Sequence, residues 1–131
     1  MAQVNSSPRQ GSLILVSGPS RGGKSRWTES LLADAPCVTY IATAMERPHD
    51  SAWEERLRLH RERRPTHWRL LEPGTDFLHS LKSVDENQSV LIDSIGGFVA
   101  NQLGSDPSAW SKTSDELIQI LGLRSSKCVL V

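Results

Sequence analysis

The 131-residue sequence lacks long apolar runs, an excess of charge of either sign, and more than two cysteines. Its longest apolar runs are about five residues, whereas a membrane-spanning helix needs about twenty, so we expect no membrane span. Fifteen basic residues balance fifteen acidic ones, which argues against nucleic acid as a partner. Cys37 and Cys128 form neither a CxxC pair nor a disulfide framework. This indicates a reducing compartment, and we expect a cytoplasmic location.

The length corresponds to about one domain, since a domain has roughly 150 residues. Residues 1–12 are polar and predict a flexible tail, and residues 13–131 are expected to form the domain. Apolar runs predict strands at Leu13–Val16, Val38–Ala42, Val90–Ile92 and Lys127–Val131, and helical periodicity predicts helices at Lys24–Ala33, Ser51–Arg64, Phe77–Val84 and Ser114–Leu121. Strands that alternate with helices indicate βαβ units and a largely parallel sheet.

Three local features refine this outline. In the first helix, Trp27 is expected to join Leu31 and Leu32 in an apolar stripe. Ser51 is the expected N-cap of the second helix, with Glu54 at the capping-box position. The last predicted strand stops inside an apolar run without a turn residue after it. We therefore expect a chain truncated at its C-terminus, with a short edge strand as the alternative.

A glycine-rich segment directly follows the first predicted strand. Residues 18–25, GPSRGGKS, match the pattern GxxxxGK[ST] at each fixed position and lead into a predicted helix. Gly18 and Gly23 are expected to let the backbone turn tightly, so that N–H groups point at a β-phosphate. Lys24 would add positive charge at the β- and γ-phosphates, and the Ser25 hydroxyl could bind Mg²⁺. The alternative is a glycine-rich turn without a ligand.

A buried strand that ends in an acidic residue supplies the second expected part of a nucleotide site. Asp93 directly follows the apolar run at 90–92. Alone, this pattern is more typical of a strand end with a helix cap, but beside a phosphate loop it predicts a carboxylate that holds Mg²⁺. We expect Ser25 and Asp93 to converge on one Mg²⁺, with the ends of the Leu13 and Val90 strands side by side. Both parts together predict a P-loop protein that binds a nucleoside triphosphate.

The segment from Arg56 to Trp68 is rich in arginine and contains two histidines. A solvated helix face with many ion pairs is the ordinary interpretation of such a charge run. His60, however, shares a helical stripe with Trp53 and Leu57, so we expect it to face the body of the protein. Nearby cations and partial burial would keep its imidazole neutral and nucleophilic. The alternative is a half-buried histidine with a structural role.

Four segments of the chain share a pattern with one enzyme family. They are 15–26 (LVSGPSRGGKSR), 38–44 (VTYIATA), the spaced residues RLxxHRxxRPxxWxxxE of 56–72, and 90–94 (VLIDS) with Asn101 downstream. In this order they resemble the bifunctional adenosylcobinamide kinase/adenosylcobinamide-phosphate guanylyltransferases of cobalamin biosynthesis. The resemblance covers about residues 13–131, and its second and third segments are more specific than the phosphate loop.

The resemblance implies a RecA-like P-loop α/β domain with a mostly parallel sheet flanked by helices, in a homo-oligomer that we expect to be a trimer. It implies an enzyme that phosphorylates adenosylcobinamide with ATP or GTP and then transfers GMP from GTP to the product through a guanylyl-histidine. His60 matches the nucleophile, Lys24 is the second catalytic candidate, and Ser25 and Asp93 are the expected Mg²⁺ ligands. The implied nucleotide-binding residues are Gly18, Pro19, Ser20, Arg21, Gly22, Gly23, Lys24, Ser25, Thr43, Ala44, Arg61, Arg64, Glu72 and Asp93.

The sequence departs from the family pattern at several positions. Gly22 stands where many relatives have serine, and Gly96 and Gly97 stand where a polar and a bulky residue are usual. Members of the family also extend further at the C-terminus. Two alternatives therefore stay open: another small-molecule P-loop kinase in which His60 is structural, and an inactive fragment that binds a nucleotide or a partner chain.

Overall fold

The computed structural model describes residues 11–19, 23–43, 49–73 and 76–131, without the side chain of His60. This part of the chain forms a five-stranded sheet in which each pair of neighbouring strands is parallel. Helices connect successive strands, so the predicted α/β architecture with a parallel sheet is confirmed. Most of the predicted tail lies outside the described residues.

The described residues contain five strands and five helices. The strands are β1 (Leu13–Leu15), β2 (Val38–Ala42), β3 (Arg69–Leu71), β4 (Ser89–Asp93) and β5 (Cys128–Leu130). The helices are α1 (Lys24–Leu31), α2 (Ser51–Arg63), α3 (Phe77–Ser83), α4 (Ile95–Ala100) and α5 (Pro107–Gly122). None of these helices combines the length and the apolar content that crossing a membrane requires.

The order of the strands across the sheet is β1-β5-β4-β2-β3. β5 pairs with β1 on one side and with β4 on the other, with Leu13 opposite Cys128 and Ile92 opposite Leu130. The expectation that the Leu13 and Val90 strands are neighbours is therefore wrong, and so is the alternative of an edge strand at the end of the chain. Val129 is fully buried, as its place inside the sheet requires.

Alternate residues of the central strands enter two separate cores, one on each face of the sheet. Val90 and Ile92 pack on one face with Phe77, Leu81, Phe98 and Leu117 from the helices α3, α4 and α5. Leu91 and Val129 pack on the other face with Tyr40, Leu32 and Trp68. This double burial explains why the strands contain near-continuous apolar runs.

The sequence prediction missed two short elements. β3 is an edge strand of three residues that follows the buried Trp68, and its Arg-Leu-Leu sequence shows no alternation. α4 starts at Ile95 and contains Gly96 and Gly97, which lower helix propensity. A side-chain cap offsets this, because the Ser94 hydroxyl accepts a hydrogen bond from the Gly97 N–H. α5 begins at Pro107, seven residues before the predicted start, with Asp106 as its N-cap.

Two local predictions about the helices are wrong. Asp50 caps α2 in place of Ser51, because its carboxylate accepts from the Trp53 N–H at 3.0 Å. In α1, Trp27 is 56% exposed, whereas Thr28 and Glu29 are buried along with Leu32, which follows the helix. Polar residues turn inwards in α1 because each finds a partner. Thr28 donates to the Lys24 and Ser25 carbonyls, and Glu29 binds an arginine of α2.

Candidate active site

A cavity of about 370 Å³ opens beyond the carboxyl ends of β2 and β4. In open parallel α/β sheets, ligands bind in crevices at this edge. One side of the cavity, here called the strand wall, comprises Tyr40, Thr43, Asp93 and Ser94. The facing side, here called the helix wall, comprises Trp53, Arg56, Leu57, Arg61 and Arg64. The remaining lining residues are Ala42, Glu72, Gly97, Ala100 and Asn101.

Five of the predicted site residues meet in this cavity, namely Thr43, Arg61, Arg64, Glu72 and Asp93. In the sequence they are spread over positions 43 to 93. The fold brings them together because β2 and β4 are paired neighbours. The described residues of the phosphate loop, Gly18, Pro19, Gly23, Lys24 and Ser25, are absent from the lining. Ser20, Arg21, Gly22 and Ala44 lie outside the described residues.

Asp93 ends β4 and is held by a tyrosine of the neighbouring strand. The Tyr40 hydroxyl donates a hydrogen bond to Oδ2 of Asp93. Burial raises the pKa of Tyr40 well above its ordinary value, and the adjacent Asp93 carboxylate raises it further. The guanidinium carbon of Arg64 lies 4.3 Å from the centroid of the same ring. Tyr40 thus contacts a carboxylate of the strand wall through its hydroxyl and a cation of the helix wall through its ring face.

Thr43 closes the junction between β2 and β4. Its hydroxyl donates to the Ser94 carbonyl at 2.6 Å and accepts from the Ser94 N–H at 2.9 Å. Its own N–H donates to the Asp93 carbonyl at 3.0 Å. The predicted nucleotide residue Thr43 is therefore buried at the cavity with its hydroxyl engaged by the backbone after Asp93.

Gly97 fits against Thr43 so closely that a side chain would clash. A Cβ at this position would lie 2.6 Å from the Thr43 Oγ1 and 3.3 Å from the Ser94 Oγ. The unusual glycine at 97 is thus a requirement of this junction. A Cβ at Gly96 would come no closer than 3.9 Å to the nearest side-chain atom. The two departures from the family pattern therefore differ in their structural importance.

The helix wall carries the positive charge of the cavity. Trp53, Leu57 and Arg64 are half-buried, which agrees with the predicted inward stripe of α2, whereas Arg56 and Arg61 are exposed. Arg61 approaches Glu72 at 3.9 Å, with both side chains 59% exposed. The main chain of His60 lies in α2 between these residues. The structure does not describe the side chain of His60, so its predicted inward orientation stays a prediction.

The phosphate loop has the predicted features at its end. Gly23 has φ 82°, a left-handed conformation that favours glycine, and it caps α1. Among the described glycines only Gly23 has a positive φ. The Lys24 ammonium donates to the carbonyls of Gly18 at 2.8 Å and Pro19 at 3.1 Å. This places a positive charge at the start of the loop.

The pairing of Ser25 and Asp93 on one Mg²⁺ stays a prediction, because Asp93 lines the cavity and Ser25 does not. Ser25 is the second residue of α1, and α1 packs against β4 although β5 separates β4 from β1. The bond from Tyr40 to Oδ2 leaves Asp93 with free acceptor capacity, since a carboxylate offers about four lone-pair sites. Within the described ranges no three His, Cys, Asp or Glu side chains form a metal cluster. Few protein ligands suit an ion that is bound mainly through nucleotide phosphates.

Comparison with known proteins gives the family. Residues 14–131 match the family described as cobinamide kinase / cobinamide phosphate guanyltransferase. The chain belongs to this family. The predictions of a P-loop α/β fold and of an enzyme of this family are thereby confirmed.

Three relatives share 35% identity with the chain. The bifunctional adenosylcobalamin biosynthesis protein CobU of Salmonella typhimurium LT2 aligns over 88% of this chain and 69% of its own length. The protein of the same name from Escherichia coli K12 aligns over 75% of this chain and 56% of its own length. The bifunctional adenosylcobalamin biosynthesis protein CobP of Pseudomonas aeruginosa aligns over 89% of this chain and 68% of its own length. The chain thus spans 56% to 69% of the length of these relatives.

Tyr40 and Arg56 are two of the nine cavity-lining residues that the analysis of the sequence did not identify as site residues. Tyr40 stood inside an apolar strand, where its only visible signal was a polar hydroxyl that must find a partner when buried. Arg56 was seen as part of a charge run, and the run alone does not tell which arginines reach a cavity. Both needed the strand order and the place of α2 before a role could be assigned.

Proposed function

We propose that this chain phosphorylates adenosylcobinamide with ATP or GTP and then transfers GMP from GTP to adenosylcobinamide phosphate, giving adenosylcobinamide-GDP. Membership of the cobinamide kinase / cobinamide phosphate guanyltransferase family supports both steps. The proposed cellular location is the cytoplasm. The proposed assembly is a homo-oligomer, with a trimer as the expected form, built from the domain at 13–131 behind a flexible tail at 1–12.

The observation that carries the proposal is the charge of the cavity. Arg56, Arg61 and Arg64 line one wall, while Asp93 and Glu72 lie on other parts of the lining. Arginine is suited to phosphate because its planar fork can donate two parallel hydrogen bonds. A cavity with three arginines is built for an anionic ligand, and a nucleotide supplies several negative charges at once.

The phosphate loop has a separate role in the proposal. Lys24 would hold the β- and γ-phosphates during phosphoryl transfer, together with the loop residues 18–25. Ser25 and Asp93 would hold Mg²⁺, which neutralises charge on the phosphates when it is bound. Thr43, Ala44 and Glu72 are proposed as further nucleotide contacts. For Thr43 the contact would use its surface next to Ser94, since the hydroxyl is engaged by backbone.

The second transfer needs a nucleophile on the protein, and we assign this role to His60. An imidazole nitrogen attacks the α-phosphorus of GTP, the bond to the bridging oxygen breaks, and pyrophosphate leaves. A phosphate oxygen of adenosylcobinamide phosphate then attacks the same phosphorus, and the P–N bond breaks. Histidine is regenerated, and the product carries a new diphosphate link. Arginines of the helix wall would stabilise the negative charge that develops on the phosphoryl oxygens.

Covalent labelling by GTP with a labelled α-phosphate tests this assignment. We expect wild-type protein to take up an acid-labile, base-stable label and His60→Ala to take up none, while much of the kinase activity persists. His49→Ala, His67→Ala and His79→Ala serve as controls that should still label. Persistent labelling of His60→Ala would identify another nucleophile. Loss of both activities in a folded His60→Ala protein would favour a simple kinase.

The kinase half has its own test. Lys24→Ala should weaken GTP binding or phosphoryl transfer by several kcal/mol, about 100-fold or more, because charge-assisted contacts to phosphate are lost. Isothermal titration with GTP and a kinase assay would measure the two effects. Unchanged binding and rate would remove Lys24 from the site.

A further inference from the structure

A charged pair joins α1 to α2 outside the cavity. Arg63, the last residue of α2, donates from Nε to Oε1 of Glu29 at 2.7 Å and from Nη2 to Oε2 at 3.2 Å. Both carboxylate oxygens are thus engaged by one guanidinium fork, the geometry in which arginine binds carboxylate best. Glu29 and Arg63 are 34 positions apart in the sequence, so this is a tertiary contact between two helices.

The setting of Glu29 makes this contact strong. Its side chain is 9% exposed, and that of Arg63 is 31% exposed. A carboxylate removed from water is stable only with a charged or hydrogen-bonded partner. The hydrogen bond that Arg63 donates to Glu29 also raises the pKa of Arg63. By contrast, the Arg58 pairs with Glu55 and Glu62 lie within α2 and in solvent, where ion pairs contribute little.

The pair connects two parts that the proposed chemistry must bring together. Glu29 lies four residues after Ser25, about 6 Å along the axis of α1. Arg63 lies three residues after His60, about 4.5 Å along the axis of α2. The phosphate-binding end of α1 and the His60 segment of α2 are therefore each about one helical turn from the contact.

Neither residue of the pair lines the cavity, and the next residue makes a second connection. Arg64 stacks on the ring of Tyr40, which in turn binds Asp93. Consecutive arginines at the end of α2 thus reach two different elements, α1 and β2. Such a divergent pair of contacts fixes both the position and the rotation of a helix end, which a single contact would not do.

We propose that Glu29 and Arg63 are positioning residues that hold the His60 helix against the phosphate-loop helix for guanylyl transfer. The inference rests on the proposed function. The pair touches neither substrate nor reacting atoms in this proposal. Its effect is to fix the distance between the nucleophile and the α-phosphorus, and misplacement by about 1 Å can cost about 100-fold in rate. Phosphoryl transfer to the corrinoid hydroxyl needs no protein nucleophile, so it should depend much less on the pair.

The experiment compares two activities in a set of variants. Arg63→Gln and Glu29→Gln remove one charge each with little change of shape, their double variant removes both, and Arg63→Lys keeps the charge but loses the fork. Arg58→Gln is the matched control, since it removes an arginine of the same helix that pairs with glutamates of α2. The measurements are the rate of labelling by α-labelled GTP, the rate of adenosylcobinamide phosphorylation, and the melting temperature.

We expect Arg63→Gln and Glu29→Gln to slow labelling at least tenfold and phosphorylation less than threefold. The double variant should be no slower than the single ones, because the same interaction is lost in each. Arg63→Lys should recover part of the labelling rate, and Arg58→Gln should equal wild type. Hydrogen exchange should quicken in α2 of the slow variants while α1 keeps its protection.

Three results would overturn the inference. Labelling at wild-type rate in Arg63→Gln and Glu29→Gln would show that the pair does not position His60. Equal loss of both activities together with a lower melting temperature would make the pair merely structural. Wild-type protein that phosphorylates the corrinoid but takes up no label would remove the proposed guanylyl transfer, and the positioning role with it. Only in this last case does the proposed function itself fail, so the two failures are distinguishable.

Discussion

The two walls of the cavity are built in different ways. On the strand wall, Tyr40 and Thr43 are buried, and their hydroxyls are bonded to Asp93 and to the Ser94 backbone. On the helix wall, Arg56 and Arg61 are exposed, and the closest partner of Arg61 is a carboxylate at 3.9 Å. The strand wall is thus fixed by contacts within the protein, whereas charged side chains of the helix wall extend into solvent.

This difference indicates that the strand wall and the helix wall have different roles in binding a ligand. Groups locked by packing and hydrogen bonds can hold a ligand or a metal in one place without reorganisation. Long exposed arginines can follow a phosphate group through more than one step, at the cost of ordering their side chains. We therefore expect substitutions in the strand wall to lower stability and those in the exposed helix wall to leave it nearly unchanged.

The largest effect on stability is expected from Gly97→Ala. The new Cβ would lie 2.6 Å from the Thr43 Oγ1, which two hydrogen bonds to Ser94 keep from moving. Overpacking of this kind costs about 1–3 kcal/mol, and the better helix propensity of alanine returns less than about 1 kcal/mol. We expect a net loss of about 2 kcal/mol in the free energy of unfolding, measured by urea denaturation.

Gly96→Ala is the matched control for this prediction. It adds the same methyl group to the same helix, and the nearest side-chain atom would be 3.9 Å away. The variant should be as stable as wild type or up to about 1 kcal/mol more stable, because alanine is the better helix former. Equal losses in both variants would mean that α4, and not the contact with Thr43, sets the requirement for glycine.

Much of the strand wall could be predicted from the sequence. The run from Val38 to Ala42 and the run that ends at Asp93 are near-continuous apolar stretches, which are typical of buried parallel strands. Their neighbouring positions could not be predicted, because strand order depends on long-range packing. The insertion of β5 between β1 and β4 is the clearest example, since no local signal marks it.

Residues of the helix wall could be identified from the sequence, but their arrangement in space could not. Helical periodicity located α2 and the inward positions of Trp53 and Leu57, yet it could not distinguish arginines that face solvent from those with partners. Arg63 binds Glu29 only because α1 buries a glutamate where an apolar stripe with Trp27 was expected. The buried Glu29, which departs from the apolar stripe expected in α1, thus identifies the partner of Arg63 in α2.

The next largest effect is expected from Tyr40→Phe. This change removes the hydrogen bond to Asp93 but keeps the ring under Arg64. Hydrogen bonds to charged groups contribute about 1.5–3 kcal/mol, and the half-buried Asp93 places this one at the lower end. We expect a loss of about 1.5 kcal/mol in unfolding free energy. An unchanged value would show that the bond does not hold Asp93 in solution.

Tyr40 also predicts a dependence on alkaline pH. Burial and Asp93 raise its pKa in the folded protein, so the folded state keeps the phenol proton that the unfolded state loses above about pH 10. Its contribution to stability is therefore complete below about pH 10 and falls as pH rises further. Tyr40 is the only tyrosine in the sequence, so tyrosinate absorbance reports it alone. The tyrosinate absorbance should rise together with unfolding. A rise near the ordinary pKa of tyrosine, while the protein is still folded, would contradict the burial of Tyr40.

A smaller effect is expected from Arg64→Gln, since Arg64 belongs to the helix wall and contacts Tyr40 of the strand wall. The change removes a cation–π contact at 4.3 Å while the Arg63 pair stays in place. Such contacts contribute about 0.5–1 kcal/mol when partly exposed, so the unfolding free energy should fall by roughly 0.5 kcal/mol. Arg64→Lys should lose less, because an ammonium also binds a ring face. A loss as large as that of Tyr40→Phe would place Arg64 with the rigid strand wall.

The smallest effect is expected from Arg58→Gln on the solvent side of α2. Arg58 binds Glu55 and Glu62 at 2.5 Å, and the hydrogen bond from Arg58 lowers the pKa of Glu55. All three side chains are more than half exposed, so water and salt compete with the pairs. We expect an unchanged melting temperature at physiological salt and at most a slight decrease at low salt. A clear loss at both salt concentrations would show that exposed charge pairs of α2 carry stability, and the expectation that exposed arginines of this helix can be replaced without loss would then fail.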